Sequence, residues 1–154
     1  MGEVKIIDEK SIINEAKRLF NETWDLMDKK DRTREDDITM LHSAHTSCFL
    51  WRTANKPVNN ARGEWQVSRV YSVLKMGELA LLHGKYSLEI CTENNIGDFD
   101  LAFGYEAVAR AHAVLGDLTQ ANAYKQKALT ASENISDEKQ KEFTLGEIGS
   151  ISVS

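Results

Sequence analysis

His42 and His45 stand three residues apart. On a helix that spacing puts both imidazoles on one face, where they can serve as two ligands of a metal ion. A third ligand has to come from elsewhere in the chain, and His83, His112, Glu64 and Glu106 are the candidates. No HExxH or second ExxH accompanies the pair, so the competing reading is two half-buried histidines hydrogen-bonded across a helix pair. Nucleophilic catalysis finds no motif. Cys48 and Cys91 lie in apolar helical patterns outside any CxxC or CxxH pair, which reads as small buried hydrophobes in a reducing compartment. Ser43, Ser47, Ser68 and Ser72 recur at helical spacing without a GxSxG elbow. Neither GxGxxG nor a Walker-type phosphate loop occurs. No cofactor is expected.

The 154 residues are one domain's worth, enough to bury a core without a disulfide or metal staple. Nineteen basic residues against 24 acidic ones leave a net charge of −5, which argues against a nucleic-acid backbone as the main partner. There is no apolar run of the length a membrane-spanning helix needs. The start MGEVKIIDEKS lacks the basic and apolar regions of a signal peptide, and Ile6 stands where a myristoylation signal has Ser or Thr. The expectation is a soluble cytoplasmic protein with no membrane partner.

The elements that position these side chains read as helices almost throughout, since the chain has one proline and few alternating runs. A first helix over 8–30 carries Ile12, Ile13, Ala16, Leu19, Phe20, Thr23, Trp24, Leu26 and Met27 on one face. Trp24, Trp51, Leu19 and Phe20 read most simply as core. A charged connector follows, with Asp36 or Asp37 capping a helix over 38–54. Pro57 forces Lys56 out of helical geometry, so 55–60 reads as a loop and the third helix as starting near Arg62. Further helices are expected over 100–115, 118–133 and 137–151, the last capped by Ser136.

The segment Val67–Leu88 recurs without gaps at Val108–Leu129, 41 residues later. Val67/Val108, Arg69/Arg110, Val73/Val114, Leu74/Leu115, Ala80/Ala121 and Leu88/Leu129 are identical. A period in this range is the signature of a helical repeat array. Because Gly116-Asp117 with Gln120 suits a helix end followed by a cap, the repeat also places a turn at its equivalent, Lys75-Met76-Gly77.

Tyr105, Val108, Ala109, His112, Gly116, Asp117, Ala121 and Ala128 have the spacing of a tetratricopeptide repeat (TPR), and the chain resembles a divergent member of that group. The first copy keeps Ser68, Tyr71, Ala80 and Ser87 but has Glu64 at the opening aromatic position and Lys75 for the turn glycine. Gly84 and Lys125 replace the second-helix aromatic, and the closing proline is missing. The resemblance implies an all-α, right-handed superhelix of three antiparallel helix pairs: a degenerate pair over 8–54, repeats over 62–94 and 100–133, and a capping helix over 137–151.

In that family the first helices of successive repeats line a groove that takes an extended peptide or a partner helix. Carried over by register, the groove residues are Arg62, Trp65, Arg69 and Ser72 with Phe103, Glu106, Arg110 and Ala113. The implied function is a non-enzymatic peptide- or protein-binding module. Arg69 and Arg110 would present two guanidinium forks to carboxylates, and Trp65 and Phe103 would anchor apolar groups. The competing reading pairs each arginine with Glu64 or Glu106 and makes it a strut between repeats. Two further alternatives are a small-molecule or metal site around His42 and His45, in a binding protein or an enzyme, and a homodimerising structural module.

Overall fold

The computed structural model describes residues 7–153; Met1–Ile6, with the myristoylation question, lie outside them. The described residues form seven helices and no strand: α1 Glu9–Asp28, α2 Arg34–Thr53, α3 Pro57–Val73, α4 Gly77–Glu93, α5 Asp98–Leu115, α6 Leu118–Ser132 and α7 Glu138–Gly149. No helix among them is long and apolar enough to cross a membrane.

Local chemistry explains where each helix starts. Asp8 caps α1 by accepting from the Ser11 amide at 2.8 Å. The cap of α2 is Thr33 rather than Asp36 or Asp37. Thr33 Oγ1 accepts from the Asp36 amide, and the Asp36 carboxylate accepts from the Thr33 amide, so four more residues of the charged connector join the helix. The third helix begins at Pro57 itself, five residues before the expected start. Proline at the first helical position has no N–H to lose and a φ already suited to the helix, while Lys56 stays extended. Asp137, not Ser136, caps α7, accepting from the Gln140 amide at 2.8 Å.

The turn expected within the first repeat is present. Lys75 sits at φ 62°, its amide bonds to the Ser72 carbonyl, and the Met76 amide reaches back to Tyr71 at 2.8 Å. Gly116 at φ 80° closes α5 with the same pattern of bonds, to Ala113 and, through the Asp117 amide, to His112. A lysine therefore holds the left-handed position in one copy that glycine holds in the other. Helices α5 and α6 start 41 residues after α3 and α4, which is the period of the sequence repeat.

Consecutive helices run antiparallel. Along α1 and α2, Ala16 meets Ser47 and Glu22 meets Ser43. Along α3 and α4, Ala61 meets Ser87, Glu64 meets His83 and Ser68 meets Ala80. The odd-numbered helices run parallel to one another: Arg62, Trp65 and Arg69 of α3 face Asp100, Phe103 and Glu106 of α5. Phe103 and Arg110 of α5 in turn face Phe143 and Glu147 of α7. So α1, α3, α5 and α7 form one layer, and α2, α4 and α6 the other. Within the second layer no two helices approach within 8 Å at Cα.

The layers interlock through small residues. Ala80, Ala121, Ala128, Ala102, Ala107 and Ala109 are buried, with Met40, Ala44, Cys48, Val67 and Val70 forming the main apolar cluster. Buried hydroxyls of Ser47, Ser68 and Ser87 each donate to a backbone carbonyl of the facing helix at 2.7–2.8 Å, so their burial leaves no unpaired donor. Gly63 of α3 lies against Cys48, and Gly104 of α5 against Leu88, at the same point of each repeat.

Candidate functional site

The odd-numbered layer carries two arrangements side by side. The first is a buried ion network. Glu106 is fully buried; its Oε1 accepts from Arg110 Nε at 2.6 Å and Arg69 Nη1 at 3.1 Å, and its Oε2 from Trp65 Nε1 at 2.9 Å. Arg69 Nη2 also lies 2.8 Å from Glu147 on α7. Arg110 Nη2 donates to the Glu147 carbonyl and to Ser150 Oγ. Two arginines thus balance two glutamates, and the network joins α3, α5 and α7. In this arrangement Arg69, Glu106 and Arg110 are struts between repeats, and the C-terminal helix occupies that end of the face.

Next to it the layer opens into an apolar cavity of about 230 Å³. Phe20 and Trp24 of α1, Trp65 of α3, Phe99 and Phe103 of α5 and Phe143 of α7 supply its aromatic walls. The rings pack at angles: Trp24 and Trp65 lie 5.5 Å apart between centroids, Trp65 and Phe103 5.0 Å, and Phe103 and Phe143 6.2 Å. At the mouth, Arg62 makes a two-pronged bond to Asp100 at 2.8 and 3.0 Å while its guanidinium lies over Phe99. The hydrogen bond to Asp100 is the main reason that Arg62 holds its proton more tightly than usual. Past Phe20 and Arg62 the cavity continues into a more polar one of about 330 Å³, lined also by Lys17, Asn21, Trp51 and Asn59.

Of the residues carried over to the groove, the fold therefore brings Arg62 and Phe103, both half-buried, to the cavity, with the buried Trp65 as one of its walls. Ser72 is buried, and its hydroxyl has no partner. Phe20 and Trp24, which read from the sequence as core, are instead half-buried cavity walls. Phe99 and Phe143 escape the sequence reading. Phe99 is the second residue of α5 and Phe143 lies midway along α7, and neither stretch lies inside the aligned repeat.

The histidines assemble differently from the HxxH expectation. Both His42 and His45 are exposed on α2, but only the His45 ring turns toward Tyr71 of α3 and His83 of α4. Its Nε2 lies 2.8 Å from the Tyr71 hydroxyl, and its ring meets His83 edge-on with centroids 5.5 Å apart. His83 Nδ1 lies 2.7 Å from Glu64 Oε2, and Cys48 Sγ donates to the other Glu64 oxygen at 3.4 Å. Burial chiefly, then the His83 charge, lowers the His45 pKa below its ordinary value. Burial raises the Tyr71 hydroxyl and pushes the Cys48 thiol well above the usual range, so neither is an activated nucleophile. Among the described residues no three His, Cys, Asp or Glu side chains converge as metal ligands. His112, a proposed third ligand, lies apart, stacked on Tyr124.

No protein-family model matches the chain, and comparison with curated proteins and with solved structures likewise finds no match. The class that fold and site define is an all-α protein of packed helix pairs with an aromatic cavity on one layer.

Proposed function

We propose that this chain is a TPR-like, non-enzymatic binding module that takes a peptide segment of a partner protein on its odd-numbered layer. On this reading the helix pairs form a right-handed superhelix whose groove is that layer. The aromatic cavity carries the proposal. Its own volume is about 230 Å³, and it leads past Phe20 and Arg62 into the adjoining cavity rather than closing on itself. It suits one anchoring side chain of a longer ligand. Clustered Trp and Phe walls supply the desolvated contact on which such anchors depend. Asp100 and Arg62 neutralise each other at the mouth, so the anchor is apolar or aromatic. The adjoining cavity offers Lys17, Asn21 and Asn59 without a carboxylate, and an acidic group beside the anchor complements it. Cytoplasmic residence and the absence of nucleic-acid and membrane partners go with this reading.

A random peptide library selected on the protein tests it. The expected consensus is one Phe, Trp or Leu with Asp or Glu within a few residues. A synthetic peptide of that consensus should bind Phe143→Ser about tenfold or more weakly, a loss typical of an interface anchor. Phe143 is 56% exposed, so the thermal midpoint of that variant should stay close to wild type. Selected peptides that bind Phe143→Ser and Phe99→Ser as tightly as wild type would overturn the proposal, as would a library that yields no consensus.

A further inference from the structure

Helix α4 is the middle helix of the even-numbered layer. Among the described residues only α3 and α5 come within 8 Å of it at Cα. Its buried face is mostly small, with Ala80, Gly84, Ser87 and Cys91 beside Ile90. Three large apolar side chains lie on the opposite face instead. Leu79, Leu82 and Tyr86 are exposed, Leu82 by 60%, and steps of three and four residues make them one stripe. A helix that is apolar on both faces is one that a folded protein ordinarily covers on both. Glu78, Lys85 and Glu89 share this outer face, all exposed, and none of them makes an ion pair among the described residues.

We propose that this face of α4 pairs with the same face of a second copy of the chain, the two helices antiparallel across a two-fold axis at Leu82. In such a pair each edge of a helix meets the same edge of its partner. Residues equally far before and after the axis come opposite one another. Leu82 then packs on Leu82 of the second copy. On one edge Leu79, three residues before the axis, meets Tyr86, four after it. On the other edge Glu78, four before, meets Lys85, three after. Seven residues out, Lys75 and Glu89 are again opposite in sign. The exposed face of α4 is thus its own complement in charge as well as in apolar surface, and that selects a second copy as its occupant. It also selects the direction. A parallel pair would set Glu78 beside Glu78 and Lys85 beside Lys85, which repel. The odd-numbered layers stay outside this contact, so the dimer presents two aromatic cavities, one from each copy.

Sedimentation equilibrium of the full chain between about 5 μM and about 1 mM tests the pairing. The average mass should rise from one chain toward two over that range. Leu82→Lys sets two ammonium groups against each other on the axis and should leave the protein monomeric throughout. Glu78→Lys and Lys85→Glu should each weaken the dimer about tenfold, because each turns two attractive contacts into repulsive ones. Combining Glu78→Lys with Lys85→Glu restores both pairs with their signs exchanged, and the double variant should dimerise like wild type. All three side chains are exposed, so thermal midpoints should stay close to wild type. A protein still monomeric at about 1 mM would overturn the proposal. So would a dimer that Leu82→Lys leaves intact, or a double variant that dimerises no better than the single ones.

Discussion

Trp65 and Glu106 lie one repeat period apart in the chain and are bonded directly, the indole Nε1 donating to Glu106 Oε2 at 2.9 Å. The same indole ring forms a wall of the aromatic cavity. Its orientation is therefore set by a carboxylate that two arginines hold in place. Cavity and ion network are mechanically one unit, the charged half fixing the rings of the apolar half.

Replacing Glu106 by Gln should be among the most damaging single changes. It leaves Arg69 and Arg110 partly buried without their shared carboxylate, and breaking a buried ion pair from one side costs about 3–5 kcal/mol. Urea unfolding should show this as a lowered midpoint with little change in slope. A loss under about 1 kcal/mol would mean that water already screens the network. Any peptide affinity should fall with it, since the single amide oxygen of Gln cannot accept from Arg69, Arg110 and the Trp65 indole together.

Gly84→Ala reads as favourable from helix propensity alone, by about 1 kcal/mol. The fold predicts the opposite sign. An added Cβ would stand 3.1 Å from Ser68 Oγ and 3.2–3.3 Å from the backbone of Ala107 and Val108, where α4 crosses α5. Backbone cannot swing aside as a side-chain tip can, so a net loss of roughly 1–3 kcal/mol is expected from overpacking. Gly146→Ala, with nothing within 4 Å of the new Cβ, is the internal control and should be neutral or stabilising. Thermal unfolding of the two variants side by side distinguishes the contributions.

His112 should make stability depend on pH. Burial chiefly, opposed by Asp117, lowers its folded pKa from the ordinary 6.5, and its Nδ1 is buried without a partner. A depressed histidine pKa means that the unfolded chain binds the proton first. The stability present above pH 6.5 is therefore lost as the pH falls below that value, until the folded state also takes up the proton. His112→Phe keeps the stack on Tyr124 and removes the titration. It should match wild type near pH 8 and lose less stability toward pH 5. Equal slopes for the two proteins in that range would show that the ring is solvated.

Both cysteines should be inert in the native state. Burial pushes the Cys91 thiol up to about 12 and the Cys48 thiol higher still, so almost no thiolate exists at pH 8. A thiol-specific reagent should label neither until the chain is unfolded, and then both. Rapid labelling of Cys48 alone in the native protein would point to opening of the α2–α3 junction.

Much of the helical layout is legible in the chain because it rests on local physics. The period of 41 survives in the helix starts, and the turn at Lys75 follows from its match to Gly116. The boundaries that differ lie at caps. Thr33 and Pro57 extend their helices because a capping box and a first-turn proline outweigh the loop character of their surroundings. The matches Ala61/Ala102 and Gly63/Gly104 continue the repeat toward its start. Small residues at the same point of both copies mark where α3 comes close to α2 and α5 to α4, so that part of the packing too has a signal in the chain.

What the sequence determined by itself was the set of helices, their order and the pairing of repeats, because periodicity, caps and turn residues act over a few residues at a time. Tertiary structure alone decided which side chains share a space. Arg69 and Arg110 sit at equivalent positions and look like two exposed forks in a row, yet both converge on Glu106, because α7 folds back across that end of the layer and removes water from it. Phe20 and Trp24 look like core and instead wall a cavity, because α1 meets α3 only over a short stretch, where Trp24 packs on Trp65 and Gln66 donates to the Phe20 carbonyl. His45 sits on the same helix as His42 but turns to His83, 38 residues along the chain, because the fold leaves a gap between α2 and α4 that only long side chains bridge. Each outcome depends on where a third helix packs, and no local pattern in the chain encodes that.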